Sequence, residues 1–146
     1  SFYNETSTSA VYPTPVIGMV GVLDDLSQKT TLDYKYEDDF IVTIDMLNGS
    51  IGGSEYLKTI HNKVEGPIAK IDIDLEIKVQ SVCLEAIKSG IIHSAHDISD
   101  GGLAVNISES IVNSKEGIGA KLVLHRKLRS DEILFGECQS IIVVTE

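Results

Sequence analysis

Apolar residues recur along this chain with two periods, and the switches between them predict its elements. Within residues 75–90, Leu75, Val79, Val82, Cys83, Ala86 and Ile87 fall at i, i+4, i+7, i+8, i+11 and i+12, which is one face of an amphipathic helix. Gly90 follows where a left-handed residue closes such a helix. Leu103, Ala104, Ile107 and Ile111 repeat the helical spacing and predict a second helix from about Gly102 to Val112. A third, short helix is expected at 131–135. Strands are expected where β-branched and apolar residues run together, at 16–23, 40–44, 120–124 and 140–145, with Gly18 and Gly21 marking close backbone approach in the first. Asn48-Gly49 and Gly117-x-Gly119 offer turns. Alternating strands and helices of this kind read as α/β or α+β, helices packed on a mixed sheet.

Length and charge narrow the picture. A chain of 146 residues with 42% hydrophobic residues can bury one fair core. The net charge of −10 and the scatter of the 12 Lys and Arg residues argue against a nucleic-acid surface, so anionic ligands must be met locally. No apolar run reaches the roughly 18 residues of a membrane span, and no basic region followed by an apolar core opens the chain. Cys83 and Cys138 lie far apart in apolar patterns and read as buried, reduced thiols, which fits a cytoplasmic protein. Residues 24–39 carry Asp24, Asp25, Asp33, Glu37, Asp38 and Asp39 and read as a solvated linker. The chain opens at Ser1 without an initiator Met and is expected to be cut from something longer.

The chemistry concentrates at residues 93–103. His93, His96, Asp97, Ser99, Asp100 and the pair Gly101-Gly102 stand between two apolar segments, at an expected strand–loop–helix junction. The first amides of a helix are unpartnered and partly positive, so such a start suits a phosphate or carboxylate. Asp97 and Asp100 would repel a bare phosphate; they fit better as ligands of a Mg²⁺ on that phosphate, or as caps on the helix amides. An ordinary turn with an N-cap accounts for the same residues. A second pair, Gly52-Gly53, precedes Ser54, the expected N-cap of another short helix. The two glycine corners either line one anion site from two sides or are both packing corners. A calcium loop fails, since Gly101 and Ser108 stand where its fifth and twelfth ligands belong. Dinucleotide-binding, P-loop and Gly-x-Ser-x-Gly patterns do not occur. His96 reads either as a ligand-positioning or proton-handling group or as a structural histidine bonded to the loop.

Several motifs, in order, resemble one family. Ser1-Phe2-Tyr3-Asn4-Glu5-Thr6, Pro13-Thr14-Pro15-Val16-Ile17-Gly18, Gly52-Gly53-Ser54-Glu55-Tyr56, Ser94-Ala95-His96-Asp97-Ile98-Ser99-Asp100-Gly101-Gly102-Leu103-Ala104, Gly117-Ile118-Gly119-Ala120 and Leu134-Phe135-Gly136-Glu137 are similar to the C-terminal part of the phosphoribosylformylglycinamidine synthases, synthetase subunit. That family belongs with aminoimidazole ribonucleotide synthetase, selenophosphate synthetase and thiamine-phosphate kinase.

The resemblance implies an aminoimidazole ribonucleotide synthetase-like C-terminal α/β domain over residues 31–146, truncated at its C-terminus, with residues 1–30 the end of the preceding synthetase-like domain and a linker. It implies ATP and Mg²⁺ as cofactors, formylglycinamide ribonucleotide as substrate, and ammonia from a glutaminase subunit, with a small accessory subunit alongside. It places Ser1 at the substrate and Asp97, Ser99, Asp100, Gly101 and Gly102 at the nucleotide, and leaves no catalytic residue on this chain. Gly102→Val is then expected to hinder approach of the nucleotide, sparing the fold if the glycine lies outside the helix interior. Ile141 stands where the family usually has Arg, after Gln139-Ser140.

Overall fold

The structure, a computed structural model, describes residues 4–11, 14–45, 47, 49–124 and 128–146. In chain order the elements are β1 (Asn4–Glu5), β2 (Ala10–Val11), β3 (Ile41–Ile44), α1 (Glu55–His61), α2 (Ile73–Lys88), β4 (Ser94–Asp97), α3 (Gly102–Asn113), α4 (Ser130–Phe135) and β5 (Ile142–Thr145). β1 and β2 form a small antiparallel ribbon. The main sheet has the order β3-β5-β4 and is antiparallel between its named strands, with Ile41 and Ser94 both opposite Thr145. Among the described residues its parallel component is one bridge, between Thr31 and Ser94.

β5 is the apolar centre of this sheet. Val143 joins the main core while its neighbour Val144, whose side chain points to the opposite face, is also buried. A strand covered on both faces has no polar side to alternate, which is why residues 141–144 read as one apolar run. On β4 and β5 the buried Ser94 and Thr145 hydroxyls meet at 2.8 Å, satisfying two polar groups across the strand pair.

The core gathers Tyr34, Leu47, Ile98, Leu103, Ile107, Ile133, Cys138, Ile141 and Val143. Leu103 and Ile107 are the buried stripe of α3, and burial of a side chain such as Leu103 contributes about 2 kcal/mol. α2 turns Val79 and Cys83 inward; Asp72 caps its start by accepting the Leu75 amide at 3.1 Å, and Gly90 follows its end at φ +72°. Both cysteines are free and buried, and burial pushes the Cys83 thiol above its ordinary range.

Four expectations need correction. Residues 16–23 form no strand among the described residues: Val16, Met19, Val20 and Val22 are almost fully exposed, and a Cβ on Gly18 or Gly21 would meet only open space. An apolar run becomes a strand only when another edge receives its amides and carbonyls, and none in the described chain does so here. Residues 120–124 likewise remain outside the sheet. The polar stretch read as a loop is itself strand β4 at 94–97, so the loop shrinks to 98–101. The acidic linker is partly tied down, since Asp33 pairs with Lys35 at 2.6 Å, accepts the Thr31 hydroxyl, and is followed by the buried Tyr34. Gly49 adopts φ +61°, while Asn48 of the expected turn lies outside the described residues.

Candidate functional site

The 98–101 loop is held at both ends. Entering it, the buried Asn106 of α3 donates its side-chain amide to the carbonyls of His96 at 3.2 Å and Asp97 at 2.8 Å. Ile98 then drops into the core and donates its amide to the Ile141 carbonyl at 3.0 Å. At the exit, the Gly102 amide donates to the Ser99 carbonyl at 3.1 Å. These bonds leave Asp97, Ser99 and Asp100 on the exposed rim and put Gly102 inside.

Rim chemistry is acidic and polar. Asp97 accepts the Ser99 hydroxyl at 2.7 Å. Lys58 of α1 lies close enough to feel Asp100; its ammonium is raised above the ordinary lysine range, chiefly by a hydrogen bond to Glu55, then by the charges of Glu55 and, last, Asp100. Among the described residues no three His, Cys, Asp or Glu side chains converge on a metal. Mg²⁺ characteristically takes one or two carboxylates and completes its shell with water and phosphate oxygens. The exposed Asp97 and Asp100 fit that donor set, and an ion there would neutralise charge between carboxylates and phosphate.

The expected cap is absent. α3 starts from Gly101 at φ +81°, which brings no side chain of its own to the cap, and neither Asp97 nor Asp100 accepts a helix amide among the described residues. Glu137 does this work from 36 residues away: its Oε1 accepts the Gly101 amide at 2.8 Å. The same oxygen accepts the Glu55 amide of α1, also at 2.8 Å. Ser54 caps α1 as expected, its hydroxyl accepting the Leu57 amide at 3.3 Å. The two glycine corners therefore do face one another, and the anion between them is a carboxylate of the protein itself.

Gly102 is a packing corner. A Cβ there would lie 2.7 Å from the Phe135 carbonyl carbon and 2.8 Å from the Gly136 oxygen, at φ +69°. The α4 end that presses on it is fastened to α1 by the Phe135 and Tyr56 rings, stacked 4.7 Å apart with planes 6° apart. The Glu137 amide donates to the Ser50 carbonyl at 2.9 Å, tying the same segment to the first glycine corner.

His96 lies in β4 with its side chain mostly buried, its Nε2 atom 3.4 Å from Glu109 Oε2 of α3 and its Nδ1 atom buried without a hydrogen-bond partner among the described residues, so it is not bonded to the loop. His93 Nδ1 is 2.8 Å from Asp39 Oδ2, with the Tyr36 ring edge-on to the imidazole. Ser1 lies outside the described residues. Spacing missed Asn106 and Glu137. The signal for Asn106 was a polar residue on the buried stripe of an apolar helix; Glu137 had no local signal beyond its place in a resembling motif.

The family model described as AIR synthase related protein, C-terminal domain, matches residues 37–145. The chain belongs to this family. It is 41% identical over 145 residues to phosphoribosylformylglycinamidine synthase subunit PurL of Alkaliphilus metalliredigens, covering 99% of this chain and 19% of that protein. The subunit of the same name from Caldanaerobacter subterraneus subsp. tengcongensis is 45% identical over 145 residues, with 99% and 20% covered. That of Thermoanaerobacter sp. (strain X514) is 43% identical at the same coverage. The chain thus spans about a fifth of the length of the curated relatives it matches. As an AIR synthase related C-terminal domain, it carries helices on an antiparallel three-stranded sheet, and no helix among its described residues is long and apolar enough to cross a membrane.

Proposed function

We propose that this chain works as the C-terminal portion of an ATP-dependent amidoligase that converts formylglycinamide ribonucleotide to formylglycinamidine ribonucleotide in purine biosynthesis, in the cytoplasm. The observation that carries this reading is identity of 41–45% across 145 residues to three subunits named for that synthase. Residues 1–30 are read as the end of the preceding domain and a linker, and residues 31–146 as the C-terminal domain.

In this reading the rim of Asp97, Ser99 and Asp100 and the corner of Gly101 and Gly102 border the nucleotide, and Ser1 meets the substrate. ATP phosphorylates the formamide oxygen with release of ADP, and ammonia supplied by a glutaminase subunit, with a small accessory subunit, adds at that carbon and expels inorganic phosphate to leave the amidine. Mg²⁺ bound with the nucleotide would offset charge on the transferred phosphoryl group. The chain's own contribution is positional: the braces from Asn106 and Ile141 hold the loop backbone, so the Asp97 and Asp100 carboxylates arrive oriented.

The test is amidine formation by the longer enzyme containing this chain, with glutamine or ammonia, ATP and Mg²⁺. Absence of amidine, with phosphorylation of a different substrate instead, would favour another ATP-using member of the superfamily. One observation favours a second reading, a nucleotide-binding or structural domain without a working site: the Gly101 amide is already taken by Glu137. Normal turnover after removal of the Asp97 and Asp100 carboxylates would support it.

A further inference from the structure

The two glycine corners are 48 to 50 positions apart in sequence, yet one atom joins them. Glu137 Oε1 accepts the amides of Glu55 and Gly101 at 2.8 Å each, while the Glu137 amide is itself held by Ser50 at 2.9 Å. Both amides sit at helix starts, where a negative acceptor is favoured, and bonds to a charged acceptor are roughly twice as strong as neutral ones. The contacts beside it are backbone on backbone: Gly102 against Phe135 and Gly136, and Gly136 with its Cβ position 3.1 Å from the Gly49 Cα. Backbone packed this closely cannot absorb a shift locally, so the carboxylate sets the distance between the α1 start and the 98–101 loop.

We propose that Glu137 is the positioning residue of the nucleotide-bordering loop: it acts through the Gly101 and Glu55 amides, without touching the ligand, to fix where Asp97 and Asp100 stand. This rests on the reading of that loop as a nucleotide border. A structural carboxylate serving the whole fold would behave differently, because its loss would loosen α2 and the sheet together with the loop.

The test is amide hydrogen exchange and ¹H–¹⁵N NMR on the 146-residue chain, comparing wild type, Glu137→Gln and Glu137→Ala. Gln keeps an acceptor oxygen and loses the charge; Ala loses both. The expected result is a local effect graded Ala over Gln. Exchange at Glu55, Gly101 and the 98–102 amides should quicken by about tenfold or more in Ala and less in Gln, with α2 amides unchanged, as loss of two charge-assisted bonds requires. If Ala fails to fold, the Gln spectrum decides: changes confined to the two corners support the proposal. Unmoved Glu55 and Gly101 amides, or equal loosening of α2 and the sheet in Gln, would overturn it. A parallel titration of the longer enzyme with ATP and Mg²⁺ separates the two ideas. A wild-type loop that ignores nucleotide while Ala still quickens the corner amides would sink the nucleotide reading and support the positioning role.

Discussion

The Gly102 Cα presses on the peptide joining Phe135 to Gly136 so closely that an added Cβ would stand 2.7 Å from the Phe135 carbonyl carbon. Gly102 is also at φ +69°, which L side chains rarely adopt. The expectation that Gly102→Val spares the fold therefore changes. Gly102→Ala should cost about 2–4 kcal/mol, and Gly102→Val more, because backbone rather than a yielding side chain must move. Chemical denaturation of the chain checks this; a loss below about 1 kcal/mol would contradict the packing argument.

Asp100 makes the opposite case. It is exposed and does not cap α3, so Asp100→Asn should leave stability within about 0.5 kcal/mol of wild type. In the longer enzyme, loss of a carboxylate ligand should make activity depend more steeply on Mg²⁺. An unchanged Mg²⁺ titration would take Asp100 out of the metal's surroundings.

Asn106 donates to two strand carbonyls from a buried position. Asn106→Leu should destabilise the chain by about 2–4 kcal/mol, since it removes the buried donor that the His96 and Asp97 carbonyls share. Exchange at the amides of 97–99 should quicken more than elsewhere. Denaturation and exchange together check the claim, and a stabilised Leu variant would refute it.

What could be read before the structure was whatever depends on nearby residues. The stripe of Val79 and Cys83, that of Leu103 and Ile107, the Ser54 cap and the Gly90 stop all lie within a few residues of what they organise. Val16 to Val22 shows the limit, because an apolar run carries no mark of whether a partner edge exists. The site divides in the same way. Asp97 and Asp100 announced themselves by crowding, whereas the anion that joins the glycine corners comes from Glu137, 36 residues past Gly101 and beyond any periodic signal.

Acid stability follows from Asp33. Hydrogen bonds from Lys35 and Thr31 hold its carboxyl at about 2, below the ordinary 3.8. A carboxylate depressed in the folded state stabilises above its unfolded value and loses that contribution as pH falls through the folded one. The stability advantage of wild type over Asp33→Asn should therefore be full above about pH 4 and fade between pH 4 and 2, as urea melts across that range would show. A constant gap down to pH 2 would contradict the assignment.

On the proposed function, the loop of Asp97 and Asp100 borders the nucleotide of an amide-forming ligase. The isolated chain should neither hydrolyse ATP nor make amidine, so the decisive measurement belongs to the longer enzyme: steady-state amidine formation with ATP and Mg²⁺ titrated separately, for wild type, Asp97→Asn and Asp100→Asn. A higher KM for ATP or a steeper Mg²⁺ requirement is expected in the variants, by about tenfold for loss of one ligand interaction. Wild-type kinetics from both variants would contradict it and leave the loop as a packing corner.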